Sequence, residues 1–144
     1  MTVVVDSSIL IAFTLSDEPL YTKAHQSLST WETTKTRLIA PRLFRSEITA
    51  VMRKAVYQRR ISHEQGRFLL SRLLSHPIEF LEDDELLTAA YNLAERFNRP
   101  RAYDSQYLAL AERYDCEFWT ADATLVNGIQ AHFNRIRWLG NFAP

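Results

Sequence analysis

Val3-Val4-Val5-Asp6-Ser7-Ser8-Ile9-Leu10, close to the start of the chain, sets a strand-forming run directly against a carboxylate. The three valines are β-branched and favour extended backbone, and no polar residue alternates with them to mark a solvated face. Such a run reads as a strand buried on both sides. Asp6 then stands at its carboxyl end, followed by two serines and a second apolar run, Ile9 to Phe13.

Working outward, three further short apolar stretches read as strands: Arg37 to Ala40, Cys116 to Thr120 and Ile136 to Leu139. Between them the apolar residues recur at intervals of three and four. Leu20, Ala24, Leu28 and Trp31 do so, as do Phe44, Ile48, Val51 and Ala55, then Leu86, Ala90, Leu93 and Phe97, then Tyr107, Leu108, Ala111 and Tyr114. Strands alternating with helices predict an α/β protein, a parallel sheet with helices on both faces. Pro41 before one helix and Pro100 after another stand where proline is tolerated. In such a sheet ligands gather outside the carboxyl ends of the strands, so Asp6 occupies a place where chemistry is done.

Length and composition narrow the field. At 144 residues, without repeats or low-complexity tracts, the chain is expected to form one domain over residues 1–144. Lone Cys116 can close no internal disulfide and builds no zinc ribbon; it reads as a small core residue, and a cytoplasmic setting fits best. No apolar run approaches the roughly 18 residues of a membrane span, and Asp6 comes too early for a signal peptide. Gly66, Gly128 and Gly140 are the only glycines, which excludes a phosphate-binding P-loop and a dinucleotide fingerprint. Seventeen basic residues balance seventeen acidic ones, which argues against a protein that coats nucleic acid through a broad positive field. The charges are nonetheless segregated. Arg42 to Arg60 holds six basic residues against Glu47 alone, and Glu79 to Glu85 holds five acids and no base; as runs, both read as solvated helix faces.

Three acids are candidates to join Asp6. Glu47 has Leu43, Phe44, Ala50 and Val51 as its helical neighbours, so it lies on an apolar face where an ionised carboxylate needs a partner or a cation. Asp104 opens the helix Tyr-Asp-Ser-Gln-Tyr-Leu-Ala-Leu-Ala-Glu and, taken singly, reads as its N-cap. Asp122 follows the strand ending near Thr120 and reads as the cap of a short helix, with its carboxylate also at a strand's carboxyl end. Four converging carboxylates would repel one another and raise one another's pKa values unless a cation sat among them. All-oxygen donors suit Mg²⁺ or Mn²⁺.

These four segments, Val-Val-Val-Asp-Ser-Ser-Ile-Leu, Arg-Ser-Glu-Ile-Thr-Ala, Tyr-Asp-Ser-Gln-Tyr-Leu-Ala-Leu-Ala-Glu and Trp-Thr-Ala-Asp-Ala-Thr-Leu, stand in the order and spacing of PIN domains, and the whole resembles a VapC-type toxin ribonuclease. The resemblance is weakest over residues 15–39 and 61–82. It implies a three-layer α/β/α domain with a central parallel sheet, and an acidic pocket that binds Mg²⁺ or Mn²⁺ and hydrolyses RNA phosphodiesters. On it Asp6, Glu47, Asp104 and Asp122 fall on the family's acidic positions. Ser8 and Thr120 match its hydroxyl positions, where they would orient carboxylates or bound water. The implied reaction is metal-assisted attack of water, with no side-chain nucleophile. Arg53, Lys54 and Arg101 are candidates to hold flanking phosphates, as is Arg99. Such proteins commonly pair as homodimers and are neutralised by a small antitoxin, which sets RNA, an antitoxin and a second copy as the expected partners.

The other aromatic and imidazole groups carry less. Trp119 and Trp138 lie in strands and read as core, though they and Trp31 have the rings to stack bases. His25, His63, His76 and His132 show no ligand spacing and read as surface or capping residues. Two rival readings remain: a PIN-like module that binds RNA or protein without cutting, and a phosphatase of the haloacid dehalogenase type. The second needs an acid two residues after its nucleophilic Asp, where this chain has Ser8.

Overall fold

The strand that holds the three valines is paired on both sides. In the computed structural model, which describes residues 1–99 and 102–144, they form β1 (Thr2–Val5), hydrogen-bonded to β2 (Arg37–Pro41) on one side and β4 (Glu117–Thr120) on the other. β3 (Glu79–Leu81) adds beyond β2 and β5 (Ile136–Trp138) beyond β4, giving a parallel sheet in the order β3-β2-β1-β4-β5. The register pairs Val4 with Ile39 and Phe118, and Val5 with Trp119.

Successive strand residues point to opposite faces, and both faces are covered. Phe118 stacks on Tyr107 of α6 (Tyr103–Arg113), with ring centroids 5.3 Å apart. Its neighbour Trp119 packs the other way, against Trp31 of α2 (Tyr21–Thr33) and Phe142 after the closing 3₁₀ turn (Leu139–Asn141). The remaining helices are α1 (Ser7–Thr14), α3 (Leu43–Tyr57), α4 (His63–Leu74), α5 (Asp84–Arg96) and α7 (Ala123–Ile129). α5 packs on α6, and α1 packs on α2, α3 and β4. The three-layer α/β/α arrangement is therefore the one expected from the alternating pattern. No helix among the described residues is long and apolar enough to cross a membrane.

The order of the strands places the site. From β1 the chain moves outward to β2 and β3, then returns to β4 on the opposite side of β1. The connections leaving β1 and β4 thus diverge between neighbouring parallel strands, which opens a crevice at their carboxyl ends. Asp6 follows β1 and Asp122 follows β4, so both acids stand at that crevice.

Several expectations need correction. The acidic run 79–85 is not one solvated helix face. Glu79 opens β3 and pairs with Arg37 at 2.8 Å, Asp83 caps α5 by accepting from the Leu86 amide at 2.7 Å, and Asp84 and Glu85 fill that helix's first turn, where negative charge meets the positive end of the helix dipole. β3 escaped the sequence reading because three residues beginning with Glu carry no strand pattern; pairing with β2 makes it a strand. α4 was also missed. Its start is a reciprocal capping box, with the Ser62 hydroxyl accepting from the Gln65 amide and the Gln65 side chain accepting from the Ser62 amide, a signal readable as Ser-His-Glu-Gln. Asp104 is not an N-cap, since α6 begins at Tyr103 after Ala102 and no side chain caps it. The strand expected over Ile136 to Leu139 ends at Trp138, with Leu139 already in the 3₁₀ turn, and β4 begins at Glu117, leaving Cys116 half-buried before it. His25 and His76 are not surface groups but flank Phe13, at ring distances of 4.2 and 6.2 Å, and Nε2 of His25 meets the Phe13 carbonyl oxygen at 2.8 Å. Burial holds the His76 imidazole below its ordinary pKa, against a weaker upward pull from Glu32.

Gly140 shows how tightly the last turn is packed. A β-carbon there would lie 2.4 to 2.6 Å from three carbons of the Trp138 indole, a rigid ring that cannot yield. At Gly128, within α7, the nearest group is the end of Arg99, at an ordinary 3.5 Å. Gly140→Ala is expected to lower stability by about 1–3 kcal/mol through overpacking, whereas Gly128→Ala is expected to leave it unchanged or raise it by up to about 1 kcal/mol through helix propensity. Thermal melts of the two variants beside wild type check the pair.

Candidate active site

Asp6 is the most buried of the four acids, with 9% of its surface exposed. Burial is the main force raising its pKa, with smaller upward contributions from the charges of Asp104 and Asp122. Two hydroxyls oppose it. Ser8 donates to Asp6 Oδ2 at 2.7 Å and Thr120 donates to the same oxygen at 2.6 Å. Each hydroxyl is oriented by a backbone amide, since Ala121 donates to Ser8 Oγ at 2.9 Å and Asp122 to Thr120 Oγ1 at 3.0 Å. With each hydroxyl hydrogen committed to Asp6, the 3.3 Å approach of Ser8 to Thr120 is a contact within the cluster and no third bond. The two hydroxyls predicted to orient carboxylates do so, and they leave Oδ1 with only a long 3.5 Å approach from Ser7.

Glu47 lies on α3, half-buried, and its partner is not the guanidinium that a buried ion pair would need. The phenol of Tyr107 donates to Oε1 at 2.5 Å, and Ser7 Oγ donates to the same oxygen at 3.3 Å. Burial pushes the Glu47 carboxyl up to about 7; the Tyr107 hydrogen bond resists this, and the charges of Asp6 and Asp104 add to it. Tyr107, buried beside these acids, has its own pKa well above the usual phenol value, again chiefly by burial, so it stays a donor. Ser7 and Tyr107 were not anticipated. Tyr107 counted only as one apolar position of a helical stripe, yet a tyrosine in a core stripe needs a partner for its hydroxyl, and that was the readable signal.

Asp104, in the first turn of α6, is half-buried, and its nearest partner is Arg99, whose Nη2 stands 3.4 Å from Oδ2. Burial raises its pKa, the Arg99 charge opposes this, and Asp122 raises it further. Asp122 is exposed and caps α7, its Oδ1 accepting from the Leu125 amide at 3.1 Å, as expected from the sequence. The acids are thus linked in order. Ser7 stands between Asp6 and Glu47 with a single hydroxyl hydrogen for the two carboxylates, Thr120 joins Asp6 to the backbone of Asp122, and Asp104 acts on Asp6 and Glu47 through its charge. Among the described residues no three acidic, His or Cys side chains stand together as a finished ligand set; Asp104 is engaged by Arg99 and Asp122 by its own helix. The donor chemistry still fits a hard divalent cation: four carboxylates, with no nitrogen or sulphur among them.

Of the basic candidates, Arg53 lines a separate groove between α3 and α4 with Met52, His63 and Arg67, and Lys54 is exposed beside it. Arg101 lies outside the described residues. Arg60 is committed to Asp17 and Glu18, at 2.8 and 3.5 Å. Trp31 is core rather than a stacking surface, at 3% exposure, while Trp119 and Trp138 are half-buried.

The model of the PIN domain matches residues 3–127, which contain all four acids. The chain belongs to the PIN domain family. No curated protein matches this PIN domain in sequence. Among solved structures it is similar in fold to VapC20 of Mycobacterium tuberculosis, described as a sarcin-ricin loop cleaving toxin, at 15% identity over 94% of this chain and 98% of that one, with a TM-score of 0.67. It is likewise similar to FitAcB of Neisseria gonorrhoeae (13% identity, 97% and 99% covered, TM-score 0.66) and to a toxin-antitoxin complex of Klebsiella pneumoniae (18%, 95% and 97%, TM-score 0.59).

The Glu47 carboxyl of this PIN domain gives a signed pH dependence. Its folded pKa of about 7 exceeds the ordinary 4.5, so folding binds a proton between those values. The associated stability is fully present below about pH 4.5 and is lost as pH rises through about 7. With divalent ions removed by chelator, the melting temperature of wild type is expected to fall relative to Glu47→Gln between pH 5 and pH 8. Parallel curves would contradict the assignment.

Proposed function

We propose that this PIN domain is a divalent-metal-dependent endoribonuclease of the toxin type. The observation that carries the reading is Asp6, buried at the topological switch point and held there by two hydroxyls that have no other carboxylate to serve. A carboxylate used only for structure gains more from the protein surface, where water solvates it. Mg²⁺ or Mn²⁺ would be held by Asp6 and Asp104, with Glu47 and Asp122 completing the acidic wall. When bound, such an ion acts as a Lewis acid toward the phosphodiester and lowers the pKa of attacking water.

The protein's own contribution is placement. Ser8 and Thr120 hold Asp6 in one rotamer, so its free oxygen is presented without an entropic search. Tyr107 and Ser7 do the same for Glu47. Arg99, beside Asp104, places positive charge where a phosphate must enter an acidic pocket. Lys54 stands seven residues beyond Glu47 on the same face of α3, about 10.5 Å along the helix axis, and Arg53, about 9 Å along it, is turned toward the α3–α4 groove; both are assigned to phosphates flanking the reacting one, and Arg101 is assigned the same role. The likeness of fold to a toxin-antitoxin structure supports a small antitoxin as partner; a second copy of the chain and a cytoplasmic setting belong to the same proposal.

Asp6→Asn is expected to abolish Mg²⁺- or Mn²⁺-dependent cleavage of RNA while leaving the fold intact. Thr120→Val, which removes an orienting hydroxyl and keeps the shape, is expected to weaken metal affinity or activity by about 10- to 100-fold. Cleavage assays with and without chelator, alongside circular dichroism, read both. Undiminished cleavage by Asp6→Asn would remove the assignment.

A further inference from the structure

We propose that the cleft between α3 and the start of α6 seats one unpaired nucleotide of the RNA next to the reacting phosphate, with its base on the Tyr103 ring and its phosphate on the Arg99 guanidinium. This rests on the nuclease reading and adds to it the residues that select single-stranded substrate.

The cleft, of about 700 Å³, is open to solvent and shares Glu47 and Asp104 with the acidic site. Tyr103 precedes Asp104 directly, and 60% of its surface is exposed. It is the exposed aromatic ring among the residues lining this cleft; the other exposed tyrosines, Tyr57 and Tyr91, do not border it. Leu43 and Ala50 of α3 line the cleft with it, giving apolar surface of the kind a base edge prefers to water. Arg99 supplies the opposite chemistry. Its side chain is about a third exposed, and its 3.4 Å approach to Asp104 is longer than the 2.7–2.9 Å of a fully formed charge-assisted bond, so the fork keeps donors for a phosphate.

An aromatic face and a guanidinium set together beside a phosphodiester-cutting site are the two elements by which proteins hold single strands: stacking, which every base can supply, and charge on the backbone. A base within a duplex is already stacked on both faces and cannot cover the ring without leaving its helix. The occupant is therefore a nucleotide in a loop or single-stranded segment. Charge complementarity supports the phosphate contact, because a phosphate on Arg99 draws the guanidinium from Asp104, whose cationic neighbour it is among the described residues, and leaves that carboxylate to a metal ion.

The test uses Asp6→Asn protein, so that RNA is bound and not consumed, with a fluorescently labelled random-sequence 12-nucleotide single-stranded RNA and the same RNA annealed to its complement. Anisotropy titrations at several salt concentrations compare Tyr103→Ala, Tyr103→Phe and Arg99→Ala in that background. Tyr103→Ala is expected to weaken single-strand binding by about 5- to 150-fold and Tyr103→Phe to restore it, since the ring and not the hydroxyl carries the stacking. Duplex binding should change little. Arg99→Ala is expected to weaken binding and reduce the salt slope by about one phosphate contact. Equal affinities of the Tyr103 variants, or equal losses on single strand and duplex, would overturn the proposal. Cleavage by the protein with Asp6 intact is read separately: its absence would count against the nuclease reading while the Ala-against-Phe contrast still judged the subsite.

Discussion

The burial of one carboxylate at the end of the middle strand is the constraint around which the rest is arranged. Asp6 stands where β1 and β4 send their connections in opposite directions, and 9% exposure leaves little water to solvate it. Leaving a buried carboxylate unpartnered would cost several kcal/mol. The chain answers with hydroxyls in place of a guanidinium: Ser8 from the first turn of α1 and Thr120 from the last position of β4 both donate to one oxygen. A guanidinium would have neutralised the charge and filled the space. Two short hydroxyls offset part of the desolvation and leave the other oxygen available.

The same preference for neutral donors governs the neighbours. Glu47 is held by a phenol and a serine, and its carboxyl titrates near 7 because burial and the other acids outweigh those two hydrogen bonds. Among the described residues Asp104 alone of the four acids has a cation beside it, and that pair is long and part-exposed. Among the described residues, the site therefore accumulates negative charge that is not cancelled by neighbouring cations. Crowding of this kind destabilises the folded state and persists where function requires it. Two of the acids meet other donors, Asp104 a guanidinium and Asp122 a helix amide.

Much of this was legible because the relevant signals are local. Three β-branched residues in a row make a buried strand in any protein, and the helical stripes from Leu20, Phe44, Leu86 and Tyr107 each lie on a helix that forms. Asp122 caps α7 as its position before a short helix requires. Failures came where the deciding partner is distant in sequence. Glu79–Leu81 is a strand only because β2 is beside it, and the partner of Glu47 is sixty residues away on another helix. Asp104 resembled an N-cap because Asp before an apolar stripe usually is one, yet the helix begins a residue earlier and frees the carboxylate for the crevice. The start of α4 is a different failure, for its capping box is written in Ser62 and Gln65 and went unread.

From the sequence alone came the α/β class, the absence of the common phosphate-binding loops, four acids and two hydroxyls as candidates for the site, and membership of the PIN family as a resemblance. These follow from periodicity, from β-branching and from the ordered spacing of a few polar residues, all properties of the chain before it folds. Tertiary structure decided the strand order that makes β1 and β4 neighbours, the choice of Tyr107 and Ser7 over an arginine as partners of Glu47, and the placing of Tyr103 and Arg99 around one cleft. The physical reason is that hydrogen bonds and charges act over a few ångströms of space, and only folding brings residues forty to over a hundred positions apart within that range.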